Sequence, residues 1–385
     1  MSYNKLINLK YLLKRTSSAF LFFSLPLQAN SKFRNQLIMQ ENNTQGTDIS
    51  TLGEFGLIKH LSKNVKLNQT STLKGIGDDA AVLNQSGKKT VVTTDLLVEG
   101  IHFDLMYTPL RHLGYKAIVV NVSDVYAMNA EPKQVTVSLA ISKRFTLEAI
   151  DEIYEGINMA CEKYNVDLVG GDTTSSLTGL CISVTAIGEA NENDITYRSG
   201  AKVNDLICVT GDLGAAYAGL QLLDREKRIF ENNPEIQPDL TGHDYILERQ
   251  LKPEARKDIF ESLQDAKIVP TSMIDISDGL SSELFHICEN SKVGCQIYEE
   301  KIPIDYETHK MAEELNMNYS IFALNGGEDY ELLFTVPLDK HEEIEKMPDV
   351  KVIGHICEES KGLYMIARDN SEIALQAQGW TNFTE

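Results

Sequence analysis

The chain has 385 residues, 42% of them hydrophobic, which exceeds one ordinary domain of roughly 100–200 residues and predicts two domains with buried cores. Its 36 basic and 56 acidic side chains leave a formal net charge of −20, which repels a nucleic-acid partner. A charged fraction of 24% with 15 Tyr and 13 Phe excludes a generally disordered, collagenous or coiled-coil chain. The six cysteines, at 161, 181, 208, 288, 295 and 357, form no Cys-x-x-Cys pair, so they are expected as reduced, mostly core thiols.

The first forty residues carry Lys5, Lys10, Lys14, Arg15, Lys32 and Arg34 and no acid, with a short apolar run at 19–27. In outline this is a secretory signal, but the run is too short to span a bilayer and residues 28–30 make a weak cleavage site. Residues 1–48 are therefore read as a leader outside the working protein, with Met39 as a second candidate start. A cytoplasmic protein with no membrane partner is expected.

From Gly53 onward, strand and helix patterns alternate. Residues 91–94, 135–141 and 181–187 are β-branched, partly alternating runs, whereas 111–129 and 147–164 space their apolar residues as helices do. An α/β or α+β fold follows. Residues 189–204 turn polar before a buried-strand run at 205–210 and a helix pattern at 215–223, so the domains are placed at 49–195 and 196–385. The polar stretch 224–242, with Asn233–Pro234 and Gln237–Pro238, reads as a surface excursion.

The informative feature is where the acids fall. Gly75-Ile-Gly-Asp-Asp-Ala80 sets Asp78 and Asp79 after a glycine bend, a form suited to hard cations such as magnesium, although a solvated turn reads the same way. Residues 91–95 end an apolar strand in Thr93, Thr94 and Asp95, all oxygen ligands, and a turn cap is the equal alternative. Asp124 lies inside a helix pattern with Lys116 and Val120 at four-residue spacing and Asn121 three residues before it; an Asp among apolar residues needs a partner. At 169–174 a strand is expected to give way to Gly170 and Gly171, then Asp172 and two threonines. Paired glycines admit a phosphate chain, and a carboxylate beside it implies a bridging cation. At 273–280, Asp275 and Ser277 are expected on one face of a strand, with Asp278 and Gly279 opening a helix. At 324–331, Gly326 and Gly327 precede Glu328, Asp329 and Glu331 and an apolar strand.

Each cluster alone has a structural explanation, but together they predict a polynuclear magnesium–phosphate site. No EF-hand loop, phosphate-binding Gly-x-x-x-x-Gly-Lys loop, Gly-x-Ser-x-Gly elbow or His-Glu-x-x-His helix competes with it. Arg198, at the expected domain junction, is either a bidentate phosphate donor or a solvated linker residue.

The motifs at 53–58, 75–83, 93–103, 121–132, 170–174, 198–202, 275–280 and 325–332 resemble, in order, those of the thiamine-monophosphate kinase family. The resemblance implies the two-domain fold of aminoimidazole ribonucleotide synthetase, with an N-terminal domain that binds ATP and pairs in a homodimer. It also implies phosphorylation of thiamine monophosphate by ATP to give thiamine diphosphate, the last step of that cofactor's synthesis. By the same resemblance Asp79, Thr93, Thr94, Asp95, Asp124, Asp172, Asp275 and Asp278 would hold several magnesium ions. Gly171, Asp172, Arg198 and Ser277 would contact ATP, and His102, Glu328 and Trp380 the thiamine phosphate. Asp124, Asp172, Arg198 and Asp278 are the expected catalytic set.

The chemistry agrees. An acceptor phosphate is already ionised near neutral pH, so direct in-line transfer needs positioning and charge neutralisation more than a strong base. Trp380, the sole tryptophan, either stacks on a thiamine ring or closes the last core, and His102 is either a ligand contact or a polar turn residue. Selenophosphate synthetase and a hydrogenase-maturation dehydratase share the fold, but the first is expected to carry a reactive cysteine near the N-terminus and the second a C-terminal one. This chain has none before Cys161 and ends Asn-Phe-Thr-Glu. A silent scaffold would have lost acidic motifs that this chain keeps.

Overall fold

A computed structural model describes residues 72–74, 77–85 and 87–377, all within one structural unit. The leader, Met39 and Trp380 lie outside the described residues. The first half builds a six-stranded sheet from β1 (Thr72–Lys74), β2 (Ala81–Gln85), β3 (Lys88–Val98), β4 (Glu131–Ser142), β5 (Asp167–Ser176) and β6 (Cys181–Asn191). Its order is β1-β2-β3-β6-β4-β5, antiparallel except for the parallel β4–β5 pair. Two helices, α1 (Leu110–Ala127) and α2 (Leu147–Tyr164), pack against each other, and α1 lies against β3, β4 and β6.

α1 is apolar on nearly all sides, and every residue from Leu113 to Ala127 except Asp124 is buried, as expected of a helix enclosed by other elements. On one side lies the first sheet and on another the strand Ser272–Asp275. Gly114 and Gly156 let α1 and α2 touch by their backbones: a Cβ at 114 would sit 1.9 Å from the Ile153 carbonyl oxygen, and one at 156 would sit 1.8 Å from that of Arg111. The helix stops where Asn129 takes a left-handed conformation (φ 53°), which asparagine tolerates.

The second half builds a seven-stranded sheet in the order β13-β12-β9-β11-β7-β10-β8. Its strands are β7 (Leu206–Thr210), β8 (Ser272–Asp275), β9 (Val293–Tyr298), β10 (Leu332–Val336), β11 (Val350–Glu358), β12 (Leu363–Ile366) and β13 (Glu372–Ala374). Seven further helices accompany it among the described residues: α3 (Ala215–Asn232), α4 (Asp244–Leu251), α5 (Lys257–Ala266), α6 (Leu280–Ser291), α7 (Tyr306–Glu314), α8 (Tyr319–Asn325) and α9 (His341–Ile344). β7 and β10 are buried at every position, hence their unbroken apolar runs. The fold class is the expected mixed α/β. All six cysteines are free and all but Cys181 buried. No helix among the described residues is long and apolar enough to cross a membrane.

Three local expectations are corrected. The stretch 224–242 is not all excursion, because α3 runs on to Asn232. Arg225, Glu226, Lys227 and Arg228 are good helix formers, and the exposed tail of the segment is drawn back by the Glu226 carboxylate, which accepts the Asp239 N–H at 3.0 Å. The strand at 167 does not break at its glycines but continues to Ser176. A Cβ on Gly171 would lie 1.8 Å from the Val137 carbonyl oxygen, so the glycine permits close strand pairing beside a register shift in β4. Finally, β8 ends at Asp275, and Ser277 does not share a strand with it; the Ile276 N–H turns to the Glu331 carbonyl at 2.8 Å.

Candidate active site

The site forms where α1 passes the middle of β3 and the end of β8; β3 pairs on past Asp95 to Val98, so Thr93, Thr94 and Asp95 do not end the strand as expected. Strand alternation sends Val91, Thr93, Asp95 and Leu97 of β3 toward α1. Thr93 Oγ1 donates to Asp124 Oδ2 at 2.5 Å, and Asn121 Oδ1 accepts the backbone N–H of Asp95 at 3.1 Å. One residue before Asp124, Ser123 Oγ donates to Asp275 Oδ2 at 2.5 Å, joining the helix to the second sheet. As a result, carboxylate oxygens of Asp79, Asp124 and Asp275, from three distant segments, lie within 4.8 Å of one another.

Such a cluster resists ionisation. Burial, then the repulsion of Asp95, Asp275 and Asp79, pushes the Asp124 carboxyl well above the usual range. Burial, then Asp79, lifts Asp275 to about 7, and burial lifts Asp95 to about 6. Burial also raises Asp79, against the pull of Arg198. The described residues supply one guanidinium: Arg198 Nε and Nη2 donate to Asp79 Oδ2 and Oδ1 at 3.0 and 2.6 Å. The Arg198 backbone N–H donates to Asp78 Oδ1 at 2.7 Å, while Lys74 Nζ lies 2.8 Å from Asp78 Oδ2. Three converging carboxylates with one arginine fit a hard divalent cation, whose charge would offset the repulsion.

Beside the cluster, Asp275 leads into the turn at 276–279. Glu283, in the first turn of α6, reaches back so that Oε1 accepts the N–H of Asp278 at 2.9 Å and that of Ser277 at 3.3 Å. This clamp leaves Ser277 exposed and Asp278 half-buried at the site's rim. Burial, then Asp278, raises the Glu283 carboxyl well above its ordinary range.

The loop 324–331 forms the other wall. Glu328 is held in a left-handed conformation (φ 58°), with its N–H on the Ser277 carbonyl at 2.7 Å. Its Oε2 accepts from Lys116 Nζ at 2.9 Å and Gln250 Nε2 at 2.8 Å. His102 follows β3, its Nδ1 accepting the Val98 N–H at 3.0 Å. Burial lowers the His102 imidazole, with Glu328 raising it and Lys116 lowering it, which places the three in one electrostatic neighbourhood.

Not every expected residue joins the cluster. Thr94 points to the opposite face of β3, where its hydroxyl donates to the Val184 carbonyl at 2.9 Å. The Asp172 side chain is exposed on β5, the edge strand, with Gly171 beside it. Asp329 and Glu331, counted with the acidic motifs, have structural partners instead. Asp329 Oδ2 accepts the Gly214 N–H at 2.7 Å at the start of α3. Glu331 takes Thr210 Oγ1 at 2.5 Å, Arg256 Nη1 at 2.7 Å and Arg249 Nη1 at 2.9 Å. The sequence pattern alone does not mark Ser123, Glu283 or Gln250 as site residues. An acid in the first turn after Asp278-Gly279 was the one available signal, for Glu283.

Known proteins resemble this chain along most of its length. The family model for AIR synthase related protein, N-terminal domain, matches residues 77–190. Thiamine-monophosphate kinase of Bacillus subtilis (strain 168) is 36% identical over 339 residues, covering 86% of this chain and 100% of the relative. That of Aquifex aeolicus (strain VF5) is 36% identical over 335 residues, covering 87% and 99%. A solved structure, "AaThiL complexed with AMPPCP and TMP", superposes with a TM-score of 0.75 at 33% identity, covering 88% of this chain and 100% of that one. The fold is thus that of an AIR-synthase-related protein. Within that class, the chain belongs to the thiamine-monophosphate kinase family.

Proposed function

We propose that this protein transfers the terminal phosphoryl group of ATP to thiamine monophosphate, giving thiamine diphosphate and ADP. The observation that carries the reading is the convergence of Asp79, Asp124 and Asp275 within 4.8 Å in a chain whose relatives bear that activity in their names. A relative bound to AMPPCP and TMP supports the same pair of substrates.

Asp79, Asp124 and Asp275 would hold magnesium, with Thr93, Asp95 and Asp278 around them and Asp172 and Thr94 further off. Magnesium bound there would neutralise the phosphates and favour charge build-up on the transferred group. The chain's own groups orient the reactants. Arg198 supplies a fork-shaped donor for phosphate oxygens, and Ser277, Gly171 and Asp172 flank the nucleotide. Glu328, His102 and Trp380 receive the acceptor. No side chain needs to act as a strong base, because the attacking phosphate oxygen is already ionised, and transfer is direct, without a phosphoenzyme.

The same reading takes 49–195 and 196–385 as the two domains and the cytoplasm as the location, the compartment that supplies ATP, with neither membrane nor nucleic acid as a partner. It also takes the working form as a homodimer. Leu96, Val169 and Leu177, at 52%, 58% and 101% exposure on the first sheet and its edge, support a face that a second copy covers. The test is product formation from ATP, magnesium and thiamine monophosphate beside a parallel reaction with thiamine. Thiamine diphosphate from the monophosphate alone is expected; no phosphorylated product from a folded protein overturns the reading.

A further inference from the structure

Lys116 stands two turns before Asp124 on α1 and is only 4% exposed. A buried ammonium is costly unless paired, and none of the residues three or four positions away on its helix is acidic. Its partners come from elsewhere in the chain. Nζ donates to Glu328 Oε2 at 2.9 Å and to the Gln250 carbonyl oxygen at 3.1 Å. Gln250 Nε2 donates to that same Oε2 at 2.8 Å. One carboxylate oxygen therefore has two donors, while Oε1 takes none from the described residues and the Glu328 side chain remains 29% exposed.

The backbone beneath this carboxylate is not in a relaxed state. Gly327 and Glu328 are both left-handed, at φ 74° and 58°, and Tyr330 follows at φ 53°. A non-glycine residue persists there only when its surroundings over-determine it. For Glu328 the surroundings are the Ser277 carbonyl on its N–H and the Lys116–Gln250 pair on its side chain.

We propose that Lys116 is a positioning residue for the phosphoryl acceptor: with Gln250 it pins Oε2 of Glu328 so that Oε1 is presented at a fixed height. This rests on the thiamine-monophosphate reading above. Lys116 does not touch the reacting groups; it decides where the acceptor's carboxylate contact stands. Because Lys116 and Asp124 share one rigid helix, the acceptor contact and the acidic centre are held at a set separation.

The test is steady-state kinetics on the full chain with Lys116→Met and Lys116→Arg. For Lys116→Met, KM for thiamine monophosphate should rise about tenfold or more, while KM for ATP and kcat at saturating acceptor stay within about twofold. Lys116→Arg, which keeps the charge, should recover part of the loss. An unchanged acceptor KM, or equal rises for both substrates, would overturn the proposal. Should Lys116→Met fail to fold, Gln250→Leu removes one of the two donors and leaves the ion pair; a smaller rise confined to the acceptor supports the proposal, and none overturns it. A wild-type protein that makes no thiamine diphosphate removes the reaction and this inference together. Turnover by the wild type with no acceptor effect in the variants removes the inference alone.

Discussion

Arg198 grips Asp79 by both carboxylate oxygens, at 3.0 and 2.6 Å, and so acts as the internal counter-ion of the acidic cluster. The guanidinium fork matches a carboxylate as it would a phosphate, and an ammonium cannot reproduce that geometry. A cation shared among Asp79, Asp124 and Asp275 would compete with Arg198 for the same oxygens.

Arg198→Lys should therefore behave as a poor substitute although the charge is kept. We expect kcat/KM for ATP to fall roughly tenfold or more, with a lower melting temperature. Wild-type ATP kinetics in a less stable variant would confine Arg198 to a structural role.

Asp124→Asn removes one of several mutually repelling carboxyls while nearly keeping its shape. Turnover should be abolished, and the melting temperature without metal should hold or rise, because burial and like charge already disfavour the ionised form. Near-normal activity would remove Asp124 from the metal site.

Asp329 gives a pH signature apart from the metal centre. Burial lifts its carboxyl from 3.8 to about 7, against the pull of Arg249, so between those values the folded state binds more proton than the unfolded chain. Stability from this group is thus greatest at the acid end and falls as pH rises toward 7. Asp329→Asn lacks that proton, so the melting-temperature gap between wild type and variant should shift in the variant's favour from pH 5 to pH 7 and then level off, a trend that thermal melts across buffers would reveal. A constant gap would show that Asp329 titrates as an ordinary carboxylate.

Glu331 anchors Arg249 and Arg256 in the interior. Glu331→Gln should cost about 3 kcal/mol or more, since losing one member leaves buried charge short of its partner. Denaturant unfolding measures it; a cost under about 1 kcal/mol would mean that solvent or Asp212 and Asp258 take over.

Gly171→Ala separates two roles for one residue. Its Cβ would fall 1.8 Å from the Val137 carbonyl oxygen, so we expect loss of stability in the absence of any nucleotide. A fully stable variant with weakened ATP binding would assign the glycine to the ligand alone.

Much of the centre is legible in the sequence, because Asp79, Asp95, Asp124 and Asp275 stand in apolar or glycine-rich settings that a solvated turn or a cap explains one at a time but not together. Strand alternation, applied strictly to residues 93–95, also parts Thr94 from its neighbours. The contacts of Lys116 were beyond reach, since Gln250 lies 134 and Glu328 212 positions away and only tertiary packing unites them. Spacing could not distinguish Glu331 from Glu328 either. The first meets two arginines from α4 and the loop after it, and nothing in its local sequence signals that. The glycines at 170–171 suggested a ligand, whereas the neighbouring strand already accounts for Gly171.

One consequence concerns how change can enter this protein. Lys116, Asn121, Ser123 and Asp124 are successive stations on a single helix, and each residue of α1 turns the next by about 100°. Inserting or deleting one position between Lys116 and Asn121 would leave the Glu328 clamp facing its partner while swinging Asn121, Ser123 and Asp124 off theirs. Within this span α1 has a reading frame: substitutions are judged one at a time, but a change in length disconnects the two halves of the site at a stroke.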